Sequence, residues 1–243
     1  MKKIIAIALA LVMVFALCAC GSSSAPAASD SSAAASGEKV VKIGVFEPQS
    51  GQNAAGGKKE ILGIEYANSL YPTLEINGET YKVELVYADN ASDAAKAPSA
   101  AQLLISQDVS VVVGTYGSGC AIAAGDLFAE AKIPAIGTSC TNPQVTLGND
   151  YYFRIAYIDP FQGAVMASYA LKNGCKNCVV IVEAGDDYSA GFGNYFSEAM
   201  LAAGAQCPSP SRPVRPTSPP SWQTSSPPAT TGYLLLSPLR LLL

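Results

Sequence analysis

The 243-residue sequence contains no histidine, and only 14% of its residues are charged. Without histidine the chain can form neither a Ser-His-Asp triad nor a Cys-His pair, and no zinc site with a histidine ligand. Its 15 Lys and Arg are outnumbered by 19 Asp and Glu, so the net charge is −4. A nucleic-acid partner is not expected, because phosphate binding needs a clustered excess of basic residues. Hydrophobic residues make up 49% of the chain, which is typical of a packed globular protein.

The N-terminus has the pattern of a secretory signal. Lys2 and Lys3 precede an apolar run at residues 4–17, which is too short to span a hydrocarbon core of ~30 Å as a helix. A transmembrane anchor is the alternative interpretation. The run ends in Leu-Cys-Ala-Cys, which resembles the lipobox of bacterial lipoproteins and implies lipidation of Cys20. We therefore expect a lipoprotein signal peptide at 1–19, and the lipidated cysteine with a flexible Ser/Ala linker at 20–38.

The middle of the chain alternates between strand and helix patterns. Strands are predicted at residues 40–46, 81–87, 109–114, 134–137, 151–155 and 178–183. Helices are predicted at residues 59–70, 94–106, 121–131, 162–171 and 193–203. Repeated β-α-β units indicate an α/β fold with a doubly wound, mostly parallel sheet.

Small polar residues follow several predicted strands, where such sheets bind their ligands. Ser118 stands at a helix start, so its hydroxyl and the neighbouring amides could bind a carboxylate, or Ser118 could simply cap its own helix. Further hydroxyls follow the next strand at residues 137–143. The loop at residues 47–58 lacks the Lys-Ser/Thr pair of a phosphate-binding loop, which argues against a nucleotide ligand. Cys140 is not expected to be a nucleophile, because no histidine can activate it.

Six segments in order resemble the branched-chain amino acid binding proteins, the type I solute-binding proteins of ABC transporters. They are the lipobox and residues 41–51, 112–119, 133–143, 152–155 and 185–193. The resemblance covers residues 38–206. It implies a type I periplasmic-binding-protein fold, in which two Rossmann-like lobes joined by a hinge close over an amino acid. We accordingly expect a ligand-binding lobe at 39–157 and a partial second lobe at 158–206.

The resemblance also implies a binding site for a zwitterion. Ser118 and the amide of Thr141 would hold the ligand carboxylate, while the carbonyl of Ser139 and the hydroxyl of Thr141 would face the ammonium. Cys140 lies between Ser139 and Thr141 in the sequence and belongs to the same predicted site. Tyr188 resembles the aromatic residue that the second lobe lays over the ligand, although it could instead be a packing tyrosine at a helix start.

One position departs from the family pattern. Gly56 stands where many relatives have a tyrosine beside the ligand side chain. We expect Tyr116 to fill that space. The resemblance therefore does not predict which ligand side chain the site prefers.

The composition changes after residue 206. Residues 207–243 hold nine of the 16 prolines, and no Asp or Glu occurs after Glu198. Dense proline disfavours helix interiors and central strands. We interpret 207–243 as a disordered, Pro/Ser-rich aberrant tail from a shifted reading frame, with a genuine linker as the alternative. In the resembling family a later acidic residue of the second lobe completes the ammonium site, so we expect weak or absent ligand binding.

Five cysteines remain after the signal region. Cys120 and Cys140 follow adjacent strands and could form a disulfide, or stay reduced. Cys175 and Cys178 have the spacing of a redox or zinc motif, but there is no second such pair. We interpret these two as incidental thiols at a helix-to-strand turn.

These features predict an extracytoplasmic, lipid-anchored solute-binding protein that captures an amino acid for ABC permease subunits. We expect a monomer without cofactor or metal, held at the membrane through its lipid. Catalysis is not expected, because Asp186-Asp187 is the sole candidate acid pair and adjacent residues of a loop are usually solvated. A ligand-sensing domain of the same fold, reporting to a regulator or receptor, remains the alternative.

Overall fold

The computed structural model describes residues 38–207 and the backbone of residues 231–235. The strands are β1 Val40–Glu47, β2 Thr73–Ile76, β3 Glu79–Asp89, β4 Val111–Val113, β5 Ala135–Gly137, β6 Tyr152–Arg154, β7 Asn177–Ile181 and β8 Thr231–Leu235. The helices are α1 Ala54–Leu70, α2 Ala97–Ser106, α3 Ser118–Glu130, α4 Asp159–Lys172 and α5 Asp187–Ala202, with a 3-10 turn at Pro143–Val145. The predicted signal peptide, Cys20, the linker up to residue 37 and most of the tail lie outside the described residues.

The first lobe contains one six-stranded sheet in the order β2-β3-β1-β4-β5-β6. All its neighbours are parallel except β2 and β3, which form an antiparallel hairpin. The hairpin turns at Asn77 and Gly78, whose φ angles of 54° and 80° suit an Asn-Gly turn. The predicted parallel, doubly wound α/β sheet is confirmed. None of the helices in the described part of the chain is long and apolar enough to cross a membrane.

The core of the first lobe lies between the sheet and helices α2 and α3. Phe46 of β1 meets Phe128 of α3 edge to face, with ring centroids 5.5 Å apart. Leu104 and Val112 are fully buried beside them. The buried hydroxyl of Tyr152 donates a hydrogen bond to the carbonyl of Gly114 at 2.9 Å, which ties β6 to the end of β4. This packing fixes the strand ends from which the site loops emerge.

The described second lobe is smaller. It consists of the parallel pair β7–β8 and the helices α4 and α5. The helices approach closely at Gly163, where an added Cβ would lie 2.8 Å from the backbone of Tyr195 and Phe196. Its core contains Phe196 and Met200. Strand β8 belongs to the segment predicted as a tail, for which the sequence indicated no element.

The cysteines differ from the sequence-based interpretation. Cys178 of β7 forms a disulfide with Cys207, with a Cα–Cα distance of 4.9 Å, so Cys178 is not an incidental thiol. Cys120 and Cys140 are both buried and free, so the pairing that their sequence positions left open is not formed. The thiol of Cys140 lies instead over Gly137, 2.3 Å from where a Cβ of that glycine would be. Cys175 is also free.

Candidate functional site

The ends of three neighbouring strands, β1, β4 and β5, bring the candidate residues together. Ser118 is the first residue of α3 and only 1% exposed. Its Oγ accepts a hydrogen bond from the backbone amide of Asn142 at 3.2 Å, so Ser118 lies directly beside the loop that carries Thr141. Gly117 precedes it with a φ of 121°, a conformation that favours glycine. The two residues predicted to share a ligand carboxylate are therefore neighbours.

Thr141 and Asp159 form a buried pair of polar side chains. The amide of Asp159 donates to the carbonyl of Thr141 at 3.1 Å. Their exposed fractions are 6% and 0%, yet neither Oγ1 of Thr141 nor either carboxylate oxygen of Asp159 has a hydrogen-bond partner at standard distance. Burial raises the pKa of Asp159, while the nearby Thr141 hydroxyl and Arg154 lower it in part. Since buried polar groups are normally paired, this cluster is suited to a donor from a ligand.

Sequence reasoning missed Asp159, because the helical pattern was recognised only from Gln162 onward. Asp159 is the first residue of α4 and is followed by proline, which is typical of a helix start. That Asp-Pro pair is the signal that would have extended the predicted helix to include it.

Arg154 holds the loop after β5 in place. Its guanidinium donates to the carbonyl of Asn142 at 2.7 Å, to the carbonyl of Pro143 at 3.2 Å and to Oγ1 of Thr146 at 2.6 Å. A longer contact of 3.4 Å reaches the carbonyl of Cys140. In the sequence, Arg154 is noted only as part of the family-like segment 152–155. The structure shows that it fixes the segment on either side of Thr141.

Ser139 and Cys140 contribute little side-chain chemistry to the site. The hydroxyl of Ser139 donates to Glu60 of α1, so its side chain is engaged with the helix. The thiol of Cys140 belongs to the core of the first lobe, and burial raises its pKa to about 11. For both residues, backbone groups are what the loop can offer to a ligand.

Tyr116 occupies the space above Gly56, as expected from the sequence. A Cβ added at Gly56 would lie 2.7 Å from the ring of Tyr116. The ring is half-buried, and Tyr116 lies in the loop after β4, two residues before Ser118. An aromatic side chain therefore reaches this part of the cleft from a different loop than the family pattern implies.

Tyr188 comes from the second lobe and lies close to the same cleft. Its hydroxyl accepts a hydrogen bond from Nε2 of Gln162 at 3.1 Å, and its ring is tilted against Phe192 at 6.0 Å. Burial raises the pKa of Tyr188, and Asp159 and Tyr116 are near enough to add to that effect. The ring of Tyr188 thus packs against Phe192 of its own helix, and it also lies near Asp159 and Tyr116.

Besides the amide of Asp159, which donates to the carbonyl of Thr141, two side-chain hydrogen bonds connect the two lobes. Nε2 of Gln52 donates to Oε1 of Glu183 at 2.6 Å, and Nδ2 of Asn142 donates to the carbonyl of Asp187 at 3.0 Å. A cavity of about 480 Å³ opens next to the first turn of α3. It is lined on one side by first-lobe residues 52–53, 91–94, 117, 119 and 120, and on the other by residues 183–187. Among the residues described, no acidic or cysteine cluster is arranged to hold a metal ion.

Comparison with known proteins identifies the family. Residues 40–221 match the family described as periplasmic binding protein. The chain belongs to the periplasmic binding protein family. An amino acid binding protein from Pseudomonas aeruginosa is 36% identical over 154 residues, which are 62% of this chain and 41% of that protein.

Solved structures of the periplasmic binding protein family agree with this fold. The leucine binding protein LivK from Thermotoga maritima superposes with a TM-score of 0.66 and 36% identity, covering 70% of this chain and 48% of that one. LivJ from Streptococcus pneumoniae, solved in complex with isoleucine, gives a TM-score of 0.59 and 34% identity, covering 66% and 47%. The chain therefore has the type I periplasmic-binding-protein fold, and it spans somewhat less than half the length of these relatives.

Proposed function

We propose that this chain binds the zwitterionic part of a small amino acid, most suitably an aliphatic one, and delivers it to an ABC importer as a solute-binding protein rather than an enzyme. The observation that carries the proposal is the unpartnered pair Thr141 and Asp159 beside Ser118. The carboxylate of Asp159 and the hydroxyl oxygen of Thr141 accept no hydrogen bond at standard distance, so both can accept one from an ammonium group. The N-terminus of α3, where the helix dipole is positive, suits a carboxylate.

The aromatic residues would enclose the remainder of the ligand. Tyr116 from the first lobe and Tyr188 from the second lie near enough to each other for Tyr116 to raise the pKa of Tyr188. Such rings offer apolar faces to a hydrophobic side chain. The relatives named for leucine and the isoleucine complex support an aliphatic ligand.

The decisive test is Asp159→Asn, titrated with leucine and followed by NMR so that weak binding is detectable. We expect leucine to shift the methyl signal of Thr141 in the wild type, and the variant to lose at least tenfold in affinity, because the amide cannot pair with the ammonium as a charge. Asp150→Asn removes an exposed carboxylate outside the proposed site and should bind like the wild type. Equal affinities in the wild type and Asp159→Asn would refute the assignment.

A stability measurement separates lost binding from lost folding. The pKa of Asp159 is raised in the native state above its ordinary 3.8, so the native protein holds the proton more tightly than the unfolded chain. Stability is therefore lost as pH rises through the native pKa. Asp159→Asn should be more stable than the wild type at neutral pH and equal to it below about pH 3.8, as measured by urea unfolding. Weaker binding by a more stable variant would identify a functional group.

We also propose that the protein works outside the cytoplasm, anchored by lipid on Cys20. The support is the signal-like N-terminus and its lipobox-like end. Cys20→Ala should move the protein from the membrane fraction to the soluble one, whereas Cys18→Ala should leave it membrane-bound, since Cys18 would leave with the signal. Identical fractionation of both variants would contradict lipidation at Cys20.

A further inference from the structure

A buried carboxyl group lies beneath the site loops. Glu47 ends β1 and is 0% exposed. Its Oε2 accepts a hydrogen bond from the amide of Tyr116 at 2.8 Å, and its Oε1 accepts one from the hydroxyl of Thr138 at 3.1 Å. Oγ1 of Thr115 lies 3.5 Å from Oε2 and itself accepts from the buried amide of Asn90 at 2.7 Å. Glu47 thus contacts both the loop that leads to Ser118 and the loop that leads to Thr141.

A second carboxyl group lies next to the first. Glu60 of α1 accepts hydrogen bonds from the hydroxyls of Thr138 and Ser139. Thr138 has one hydroxyl proton and two carboxyl neighbours, so it can donate to only one of them at a time. Within residues 38–207, the ion pairs involve neither Glu47 nor Glu60. Two adjacent carboxyl groups without a cation are most stable when they share a proton.

We propose that Glu47 is a positioning residue, whose neutral form holds the two ligand loops in register and whose ionisation releases them. Glu47 touches no ligand in this scheme. Its neutral carboxyl group accepts from the amide of Tyr116 and donates its own proton to the hydroxyl of Thr138, which donates in turn to Glu60. It thereby sets the distance between the loops of Ser118 and Thr141. Once Glu47 is ionised, the one proton of Thr138 can serve only one of the two carboxylates. The effect on ligand affinity rests on the proposed function, whereas the movement of the loops does not.

The electrostatics of this site support a neutral Glu47 under ordinary conditions. Burial, and then the negative charge of Glu60, raise the pKa of Glu47 from 4.5 to about 9, although the Tyr116 amide and the Thr138 hydroxyl oppose this. The other titratable groups facing it are Cys120 of α3, Cys140 after β5 and Tyr152 of β6, whose pKa values are also raised, chiefly by burial. They therefore supply no countercharge when Glu47 ionises. A second negative charge would repel Glu60 across the space that Thr138 bridges.

The test uses the methyl signals of Thr115, Thr138 and Thr141 in the full chain without ligand, followed by NMR as pH rises. In the wild type we expect all three to shift together with a midpoint near pH 9. Glu47→Gln keeps the shape and an acceptor oxygen for the Tyr116 amide, and its NH2 group can donate to the Thr138 hydroxyl, but it cannot ionise, so it should lack this transition. Glu84→Gln, on the exposed side of β3, is the matched control and should behave like the wild type. Wild-type signals that stay constant through this range would overturn the proposal.

Two further measurements keep the proposal falsifiable. Glu60→Gln removes the repelling charge and should move the midpoint to lower pH, so an unchanged midpoint would contradict the coupling even if Glu47→Gln folds poorly. Leucine affinity should fall at least tenfold across the transition in the wild type but less in Glu47→Gln. The ligand's own ammonium titrates equally in both proteins, so the difference isolates Glu47. If neither protein binds leucine, the proposed function fails, while the threonine signals still decide the role of Glu47.

Discussion

At the scale of single residues, Gly56 shows how one position can redirect a site. In the structure its missing side chain makes room for the ring of Tyr116. From the sequence we expect Tyr116 to fill this space, because Gly56 stands where many relatives have a tyrosine. The sequence did not predict that Asp159 would lie unpaired beside Thr141, since that contact joins two lobes and leaves no local pattern.

Gly56→Ala tests this packing directly. The added Cβ would lie 2.7 Å from two ring atoms of Tyr116, so the ring must move, and we expect a loss of about 1–3 kcal/mol in unfolding free energy. Gly63→Ala is the matched control in the same helix, where nothing lies within 4 Å of the new Cβ. It should stabilise the protein by about 0.5–1 kcal/mol. Urea unfolding of both variants would decide; equal effects would contradict close packing at Gly56.

At the scale of secondary structure, hydrophobic patterns located most of the elements but not their beginnings. Strand β1 was predicted at residues 40–46 and ends one residue later. Helices α1, α3 and α5 were predicted from residues 59, 121 and 193 but begin at residues 54, 118 and 187. Their first turns are rich in small and polar residues that face the cleft, so they carry no apolar periodicity. The sequence is least informative where the elements meet the site.

Strand β2 was missed for a related reason. All four of its residues are exposed, and it pairs only with β3 at the edge of the sheet. A strand of this kind buries no face and so lacks the alternating pattern on which prediction relies. The Asn77-Gly78 pair that follows β2 is typical of a hairpin turn, and it is the feature from which a preceding strand could have been inferred.

The disulfide between Cys178 and Cys207 stabilises the second lobe by linking its first strand to the segment that follows α5. It closes a loop with a sequence separation of 29 residues. Cys207→Ser should therefore lower the unfolding free energy by about 2–4 kcal/mol under oxidising conditions. Cys175→Ser removes a free thiol three residues from Cys178 and serves as the control. If a reducing agent left wild-type unfolding unchanged, the bond would have no such role.

At the scale of the whole molecule, the two lobes are unequal. The first has six strands, whereas the described second lobe has two strands and two helices. Only Tyr188 and Asp159 of the proposed site come from the second lobe, which hydrogen bonds of Asp159, Glu183 and Asp187 join to the first lobe. In a protein of this family, closure of two lobes would bury the ligand from both sides. In the proposed site, most contacts to the ligand would therefore come from the first lobe.

We therefore predict weak binding of leucine by this chain. Within the described residues the ammonium would be held by Thr141 and Asp159, which leaves part of its surface in water, and imperfectly paired buried groups cost roughly 1–3 kcal/mol each. A dissociation constant on the order of 1 mM, about −4 kcal/mol, is the expected result of calorimetry on the purified chain. The leucine binding protein LivK from Thermotoga maritima, measured in the same buffer, provides the comparison. Micromolar affinity would contradict this prediction and would mean that the described residues already form a complete site.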